Sequence, residues 1–494
     1  MSTEQESRLQ RLHTLHERGI NPYPQAVERT HTIADVLEHF DEFSTQGEEG
    51  SFTLVGRIRL LRDSGKSAFV DIEDGTGKIQ VYFRINDLGE EAFSLFKLLD
   101  IGDFVQVSGY LFRTRRGERT LHVRDFRILS KGLRPLPEKY HGLEDKELRQ
   151  RKRYLDLLSN GDEARQVFIT RSRTISAVRR FLDEQHFLEV ETPVLQPLYG
   201  GATARPFVTH HNTLDRDLYL RIAVELYLKR LLVGGYERVY EIGRNFRNEG
   251  IDRSHNPEFT MLEFYQAYAD YKEMMRVVEE MVAFVAQQVK GTTLITYQGI
   301  EIDLAPPWQR IPLLDAISEF TGIDVMRFPD KDSLIAEMRA RGYEADPKLG
   351  WGRLVDALMK EMFRKGIPAL KQPLFLYDYP LDVSPLTKQH RETPGLVERF
   401  QPFISGLEIG NAYTELNDPL DQRARFEDQA RQRAQGDDEA QVLDEDFLEA
   451  LEIGMPPTGG VGIGIDRLVM LMTDEESIRD VILFPTMRKP AEEE

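Results

Sequence analysis

The stretch YERVYEIGRNFRNEGIDRSHNPEFTMLEFYQAYADY, from Tyr236 to Tyr271, decides the fold predicted for this chain. The β-branched and aromatic residues of VYEIG and FTMLEFYQAY predict two strands, and the charged FRNEGIDRSHNP between them predicts a long hairpin loop. Arg247 and Arg253 can bind a phosphate, because each guanidinium presents a planar fork of donors. His255 adds a donor, and Phe259 offers a flat ring to a base. The stretch predicts a nucleotide-binding hairpin, with a solvated basic loop as the alternative.

A second informative segment, GGVGIGIDRLVMLMTDEESIRDVILFPTMR, covers residues 459–488. Its glycines alternate with β-branched residues, which predicts a strand whose glycine face lets other groups approach closely. Asp466 is predicted to be the N-cap of the following helix. Arg467 would then lie in the first helical turn, where the helix dipole disfavours a cation. A residue that breaks a local rule indicates a functional role, although an ordinary surface arginine is the alternative.

A third segment, FLDEQHFLEVETPVLQP (Phe181 to Pro197), predicts a helix that runs into an extended, proline-bounded stretch. In chain order, the three segments resemble the three signature motifs of class II aminoacyl-tRNA synthetases. The runs GGATARPFVTHHNTLDRDLYLRIAVELYLKRLLVGG (residues 200–235) and FISGLEIGNAYTELNDP (residues 403–419) are similar to those of class II lysyl-tRNA synthetases of the bacterial and eukaryotic type. The resemblance extends from about residue 10 to residue 488.

Composition is typical of a soluble globular enzyme with two or three domains: 494 residues, 40% hydrophobic and 30% charged. No apolar run approaches the roughly 20 residues that span a bilayer, so we expect no membrane association. The polar start MSTEQESRLQ does not look like a secretory signal, which predicts a cytoplasmic location. The absence of cysteine excludes disulfides, thiolate metal sites and a cysteine nucleophile.

Charge distribution separates one segment from the rest of the chain. The net charge of −19 argues against non-specific coating of nucleic acid. Residues 51–131, in contrast, carry 14 Lys and Arg against 11 Asp and Glu. A tRNA could be steered to this locally basic segment.

The predicted fold class is α+β, with four parts along the chain. Five short alternating runs over residues 52–130, with one helix among them, predict an oligonucleotide-binding (OB) barrel, which the resemblance identifies as an anticodon-binding domain. The resemblance also implies a catalytic antiparallel sheet flanked by helices. An acidic segment, residues 436–454, is predicted to form a solvated helix. The predicted parts are an N-terminal helical appendage (1–51), the barrel (52–130), a Pro- and Gly-containing linker (131–148) and the catalytic domain (149–494), with a helical insertion at about 306–370.

Selection of lysine requires a site for a long-armed ammonium group. A desolvated charge costs several kcal/mol unless it is paired and hydrogen-bonded, so at least two carboxylates are expected. Glu263 and Tyr265 lie two positions apart, on one face of a strand. The resemblance implies that Glu263, Tyr265 and Glu415 surround the side-chain ammonium. Taken alone, a carboxylate is more often structural or solvent-facing than part of a binding site.

The resemblance also assigns the rest of the lysine site. It implies that Glu225 and the carbonyl of Gly201 bind the α-amino group. Arg247 and Asn411 would hold the α-carboxylate, and Tyr413 would line the aliphatic stem. The family has either Phe or Tyr at the position of Tyr413, so we infer nothing from its hydroxyl.

For ATP, the resemblance places Arg247 at the α-phosphate and Phe259 against the adenine. Arg467 would cover the opposite face of the base. Arg247 and Arg467 are therefore the predicted catalytic residues. No P-loop or Rossmann glycine fingerprint occurs in a strand–turn–helix setting. The other residues expected around the nucleotide are Glu249, Arg253, His255, Asn256 and Glu408.

Magnesium is the expected cofactor, because it prefers hard oxygen ligands shared with phosphate. Glu408 is the main candidate ligand. The family usually has a second glutamate seven residues earlier, where this chain has Gln401, so the metal shell is predicted to be less anionic. Glu415 could partly compensate. By strand alternation Glu408 lies on the opposite face from Glu415, unless Gly410 permits a bulge.

The implied reaction has two steps. Lysine attacks the α-phosphorus of ATP to give lysyl-adenylate and pyrophosphate, and the terminal adenosine of tRNA(Lys) then takes the acyl group. In the barrel, Phe69 and Gln80, with Arg57 nearby, match positions that the family uses for anticodon bases. The alternative for Phe69 is a barrel-core aromatic. The helix and the proline of the third segment (residues 181–197) resemble the family's dimer interface, which predicts a twofold homodimer.

Three rival functions fit the sequence less well. An aspartyl- or asparaginyl-specific relative would need cationic groups where Glu263 and Glu415 stand. A relative that charges a protein instead of tRNA would lack the barrel. A catalytically impaired regulatory or RNA-binding paralogue has only Gln401 in its favour.

Overall fold

The computed structural model describes residues 3–136, 143–364, 370–434 and 442–489. The chain divides into two compact units, one up to residue 142 and one from residue 143. Part of the linker predicted over 131–148, residues 137–142, lies outside the described residues, and its last positions begin a helix at Lys146. In the described part of the chain, no helix is both long and apolar enough to cross a membrane.

The first unit is built around a closed barrel of five strands in the order β1-β2-β3-β5-β4. Alternation along the strands sets its two faces: in β2, Ala68, Val70 and Ile72 point into the barrel, whereas Phe69 is half-buried on the outside. The predicted OB-type barrel is confirmed. Its strands are β1 (Phe52–Asp63), β2 (Ser67–Glu73), β3 (Lys78–Arg84), β4 (Phe104–Arg113) and β5 (Arg119–Ser130).

Helices of the first unit pack on this barrel. Leu15, Ile33 and Phe40 are fully or almost fully buried in the same core as the barrel residues, so the segment predicted as an N-terminal appendage completes the barrel unit. The helices are α1 (Thr3–Glu17), α2 (Ile33–Glu38), α3 (Phe40–Ser44) and α4 (Ile85–Phe96).

The second unit contains a large, mostly antiparallel sheet in the order β14-β15-β16-β18-β19-β11-β10-β6, with β17 paired to β16. Only the outer pairs β14–β15 and β10–β6 are parallel. Its strands are β6 (Leu188–Glu189), β10 (Arg238–Phe246), β11 (Glu258–Ala267), β14 (Gln309–Pro312), β15 (Leu374–Pro380), β16 (Leu396–Ile404), β17 (Leu407–Glu408), β18 (Gly410–Thr414) and β19 (Thr458–Gly464). Two small sheets contain β7 (Leu195–Gln196), β8 (Val208–His211) and β9 (Arg216–Leu220), and β12 (Leu294–Tyr297) and β13 (Ile300–Asp303).

Helices flank this sheet, as expected, and α7, α9 and α15 share its main core. The helices of the second unit are α5 (Lys146–Arg151), α6 (Arg153–Ser159), α7 (Gly161–Glu184), α8 (Glu225–Val233), α9 (Tyr271–Lys290), α10 (Leu313–Thr321), α11 (Lys331–Ala340), α12 (Trp351–Arg364), α13 (Pro419–Ala434), α14 (Glu445–Ile453) and α15 (Ile465–Thr473).

The predicted hairpin and the glycine strand are neighbours in this sheet. β10 and β11 pair in continuous antiparallel register, and β19 pairs with the other edge of β11. One face of β19 buries Val461 and Ile463 in the core, and the other face carries the glycines. The prediction that Asp466 caps α15 is wrong, because the helix begins at Ile465 and its N-cap residue is Gly464. The buried Asp466 carboxylate instead accepts hydrogen bonds from the Thr260 amide (2.7 Å) and from Arg171 (2.6 Å).

Two peripheral predictions need correction. The insertion predicted over 306–370 is helical, with its own core formed by α10, α11 and α12, but its first residues form β14 at the edge of the main sheet. Residues 365–369 lie outside the described residues. In the acidic segment 436–454, helix α14 is not simply solvated, since it buries Phe447, Leu448 and Leu451. Residues 435–441 of that segment also lie outside the described residues.

Candidate active site

A cavity of about 490 Å³ opens over the glycine face of β19 in the second unit. It lies between the hairpin β10–β11 and strands β16 to β18. Every residue predicted for the lysine site or the metal lines this cavity, and so does every residue predicted for ATP except Arg253. These residues are Gly201, Glu225, Arg247, Glu249, His255, Asn256, Phe259, Glu263, Tyr265, Gln401, Glu408, Asn411, Tyr413, Glu415 and Arg467. Arg253 is largely exposed and pairs with Glu476.

Three buried carboxylates meet at one end of the cavity. Glu225 begins α8, Glu263 lies in β11 and Glu415 follows β18; each is no more than 4% exposed. Glu263 accepts hydrogen bonds from the Tyr265 hydroxyl (3.0 Å) and the Val224 amide (3.3 Å). This end therefore holds three carboxylates in a buried space, which suits a cationic ligand.

Burial and mutual repulsion raise the pKa values of these carboxyl groups. Burial, and then the charge of Glu225, raise the pKa of Glu263 to about 7, against the donors from Val224 and Tyr265. Burial raises the pKa of Glu415 to about 8, although the ammonium of Lys229 opposes the shift. Burial likewise raises the pKa of Glu225. A bound cation would favour the ionised form of all three.

Lys229, which the sequence analysis did not single out, lies behind two of these carboxylates. Its side chain is fully buried, donates to Glu225 Oε1 at 2.6 Å and forms an ion pair with Glu415. The spacing of Glu225 and Lys229, four residues apart on a helix, was the available signal. Such pairs are common on exposed helix faces, so it did not indicate a buried site.

Backbone geometry brings Gly201 against Glu225. Gly201 has φ +82°, and a Cβ there would lie 3.0 Å from Glu225 Cβ and 3.1 Å from Ala223 Cβ. Only glycine combines this left-handed conformation with so close an approach. The position predicted for binding an α-amino group is thereby next to the cluster.

A polar network forms the wall beside the carboxylates. Arg399 donates to Asn411 Oδ1 (2.8 Å) and lies over the ring of Tyr379 at 4.5 Å. Asn411 in turn donates to the hydroxyl of Tyr413. Arg399 was missed in the sequence, although it precedes Gln401 by two residues on the same strand and so shares its face.

At the other end of the cavity, the hairpin loop meets the start of α15. Arg467 donates to the backbone carbonyl of Glu408 (2.7 Å), and its other nitrogen lies 3.3 Å from His255 Nε2. The guanidinium of Arg247 lies 5.1 Å from the centre of the Phe259 ring. Two guanidinium groups, an imidazole and an aromatic ring thus face one space, which can accept a nucleotide phosphate and base.

The residues predicted to bind a metal ion suit an ion that takes most of its ligands from the bound substrate. Among the described residues no group of three or more His, Cys, Asp or Glu could hold a metal ion. Gln401 is 6% exposed, and its carbonyl oxygen makes no hydrogen bond to a described residue. Glu408 is half-buried. One carboxylate and one free amide oxygen suit Mg²⁺, which commonly takes most of its ligands from phosphate and water.

The bend that the metal prediction required is present. The chain breaks its strand at Ile409, between β17 and β18, and Gly410 packs so closely on β19 that a Cβ there would lie 2.5 Å from the Gly462 carbonyl oxygen. As a result Glu408 and Glu415 both reach the cavity, despite their opposite parity along the chain.

In the barrel, the residues predicted to read the anticodon lie on the outer surface. The Phe69 ring packs on Tyr82 at 4.7 Å, and Gln80 accepts a hydrogen bond from Thr120 (3.0 Å). Arg57 lies over the ring of Phe104 at 4.3 Å. Phe69 is therefore not a barrel-core aromatic, and the alternative considered for it is wrong. Tyr82 was missed, although it is two residues after Gln80 and so on the same face.

Comparison with known proteins agrees with this geometry. Residues 145–488 match the family model of class II tRNA synthetases (D, K and N), and residues 52–129 match that of the OB-fold nucleic acid binding domain. A lysine–tRNA ligase of Moorella thermoacetica is 55% identical over 487 residues, 98% of each chain. The chain belongs to the class II lysyl-tRNA synthetases.

Other lysyl-tRNA synthetases are equally similar over their whole length. A lysine–tRNA ligase of Carboxydothermus hydrogenoformans is 54% identical, with 97% of each chain covered, and one of Chloroflexus aurantiacus is 55% identical, with 99% of each covered. The resemblance drawn from the motifs, the fold class and the ligase activity are thereby confirmed. The roles of individual residues stay predictions.

Proposed function

We propose that this chain activates L-lysine with ATP and transfers it to the 3′-terminal adenosine of tRNA(Lys). The observation that carries the lysine specificity is the cluster of Glu225, Glu263 and Glu415 at the closed end of the cavity. An aspartyl or asparaginyl site would need cations there. The alternative, a catalytically impaired regulatory paralogue, is supported only by Gln401.

In the lysine site, each polar group of the substrate has a partner of opposite character. Glu263, Glu415 and the Tyr265 hydroxyl receive the side-chain ammonium, and Tyr413 lines the aliphatic stem. Glu225 and the Gly201 carbonyl receive the α-ammonium. The α-carboxylate lies towards Arg247 and Asn411, at the boundary with the nucleotide end.

In the first step, an oxygen of the lysine carboxylate attacks the α-phosphorus of ATP in line. A new P–O bond forms, the bond to the β-phosphate oxygen breaks, and pyrophosphate leaves with that electron pair. The carboxylate is already charged, so no general base is required. Arg247 binds both the carboxylate and the α-phosphate, and it orients the two reactants and offsets the charge that develops between them.

The nucleotide is held by the loop and the start of α15. Phe259 stacks on the adenine, with Arg467 against its other face, and His255, Asn256 and Glu249 surround the phosphates and ribose. Glu408 and Gln401 would hold Mg²⁺ on the phosphate oxygens. Glu415 also lines the cavity, but it is paired with the ammonium of Lys229. Bound there, the ion would offset phosphate charge.

In the second step, a ribose hydroxyl of the terminal adenosine attacks the acyl carbon of the adenylate, and AMP leaves. The barrel contributes recognition at the other end of the tRNA. Phe69 would stack on an anticodon base, and Gln80 and Arg57 would contact base edges or phosphate.

A twofold homodimer is also proposed. Several large apolar side chains are exposed around β6 and the small sheet β7-β9-β8, more than isolated surface residues would explain. They are Leu188 (45% exposed), Val194 (40%), Leu195 (45%), Leu198 (39%) and Val208 (58%). Leu195→Asp should convert the dimer to monomers in sedimentation velocity, and an unchanged dimer would contradict this surface assignment.

The function is tested by pyrophosphate exchange into ATP without tRNA, across a magnesium series. Lysine, aspartate, asparagine and ornithine are compared as substrates. Exchange with lysine alone supports the proposal. Exchange with aspartate or asparagine, or silence with every amino acid at high magnesium, refutes it, and silence would favour the regulatory paralogue.

A further inference from the structure

Lys229 has no part in the mechanism above, although it is a fully buried cation in contact with the lysine site. Among the described residues, the ion pairs of Glu225 and of Glu415 are both with this side chain. Glu225 and Glu415 lie on different elements, and Lys229 bridges them. A buried ammonium costs several kcal/mol unless it is paired, so its position requires at least one ionised carboxylate and favours the ionised form of both.

We infer that Lys229 is a positioning residue for lysine binding: its fixed ammonium favours the ionised forms of Glu225 and Glu415 and holds both in place, so that the cluster more readily carries the charge that lysine neutralises. The inference rests on the proposed lysine site. Glu225, Glu263 and Glu415 carry three negative charges when ionised, and Lys229 leaves a net charge of minus two. The two ammonium groups of lysine match that charge.

The other groups that face the cluster do not replace Lys229. Tyr265 and Tyr413 are neutral at physiological pH, since burial raises the pKa of each hydroxyl. Arg247 lies towards the nucleotide end. Arg399 is engaged with Asn411 and with Ser384 (3.0 Å).

Without Lys229, three carboxylates would face one another in a buried space. At neutral pH the cluster would then hold one proton more than in the parent, because like charges in a low-dielectric site cannot all ionise. Lysine binding would have to expel this proton. In a protein without Lys229, lysine affinity should therefore depend more strongly on pH. As pH falls, this affinity should be lost at a higher pH than in the parent.

Lysine binding to the full-length protein by calorimetry, from pH 6.5 to 9.5, tests this role. Lys229→Met removes the charge at similar volume, Lys229→Arg keeps it, and Lys290→Met removes a lysine charge from the exposed end of α9. We expect Lys229→Met to weaken binding more than tenfold at pH 7, with much of the loss recovered at pH 9.5. Lys229→Arg should retain a pH dependence like that of the parent, and Lys290→Met should match the parent throughout.

Proton linkage provides a second readout that a purely structural role would not change. In buffers of different ionisation enthalpy, lysine binding to Lys229→Met should release about one more proton at pH 7 than binding to the parent. A loss of affinity that is equal at every pH, or proton release equal to that of the parent, would overturn the inference.

Stability measurements cover a Lys229→Met variant that folds poorly. Stabilisation by a ligand falls as its dissociation constant rises, so a fixed lysine concentration should raise the melting temperature of this variant less than that of the parent at pH 7, and the deficit should narrow at pH 9.5. An equal increase at pH 7, a deficit that is the same at both pH values, or no folding even with saturating lysine overturns the inference. Failure of the parent itself to bind lysine would instead refute the proposed lysine site.

Discussion

The hydroxyl of Tyr265 donates a hydrogen bond of 3.0 Å to Glu263 Oε2, from two positions farther along the same strand. Strand alternation places the two side chains on one face, and both are buried. The Tyr265 hydroxyl is therefore a donor held close to the Glu263 carboxylate. The donor favours the ionised form of Glu263, which is the form that a lysine ammonium requires.

Tyr265→Phe should therefore weaken the binding of lysine and leave the binding of ATP unchanged. A hydrogen bond to a charged group contributes about 1.5 to 3 kcal/mol, so the KM for lysine should rise roughly 10- to 100-fold. The KM for ATP should change little. Tyr271→Phe is a matched control, because it removes a hydroxyl bonded to Asp378 (3.0 Å) in a residue that does not line the cavity. Equal effects of the two substitutions on lysine KM would contradict the assignment.

Glu263 should make the unliganded second unit less stable as pH rises. Its pKa is about 7 in the folded protein, against an ordinary value of 4.5, so the folded state binds more protons between these values. The free energy of unfolding must then fall as pH rises from about 4.5 to 7, by about 1 to 3 kcal/mol for this group.

Glu263→Gln should lack this component. Both tryptophans, Trp308 and Trp351, lie in the second unit, so their fluorescence during urea unfolding at pH 5 to 8 follows that unit. The stability of the parent relative to the variant should decrease over this range. Parallel curves for the two proteins would show that Glu263 is already ionised at pH 5.

Gln401 should set the magnesium requirement. Gln401→Glu places a negative charge where a buried amide oxygen now lacks a described partner, so half-maximal exchange activity should occur at several-fold lower Mg²⁺. Gln422→Glu is the matched control, since Gln422 is also buried with an unpaired carbonyl oxygen but does not line the cavity. Identical magnesium midpoints in Gln401→Glu and the parent would remove Gln401 from the metal site.

Phe69→Ala should separate the two steps of the reaction. Stacking of a base on an aromatic ring contributes about 1 to 3 kcal/mol, so the KM for tRNA should rise roughly 5- to 100-fold. Lysine-dependent pyrophosphate exchange, which needs no tRNA, should be unchanged. A similar loss in both assays would indicate that Phe69 supports folding of the barrel instead of RNA binding.

Local sequence patterns were sufficient for much of the fold. Alternation and turn residues predicted the five barrel strands and the β10–β11 hairpin, because each depends on neighbours close in the chain. Asp466 shows where this reasoning fails. It has the residue type of a helix cap, but its carboxylate is bound by Arg171, almost 300 positions earlier.

The motifs predicted where the site lies, but they did not predict its electrostatic interactions. Resemblance identified residues that meet in one cavity, although their roles await experiment. Lys229 and Arg399 were missed for one physical reason. Their significance arises from contacts with side chains on other elements, such as that of Lys229 with Glu415, 186 positions later. No local periodicity reports such a contact.

Gly460 limits how this pocket can evolve. A Cβ at this position would lie 2.0 Å from Glu415 Oε1 and 2.4 Å from the ring of Tyr265. Any replacement therefore displaces Glu415 or Tyr265, the two groups proposed to bind the ammonium, instead of only filling space. The pocket cannot be narrowed from this wall without losing the groups that select the substrate, so glycine is the one residue the wall admits.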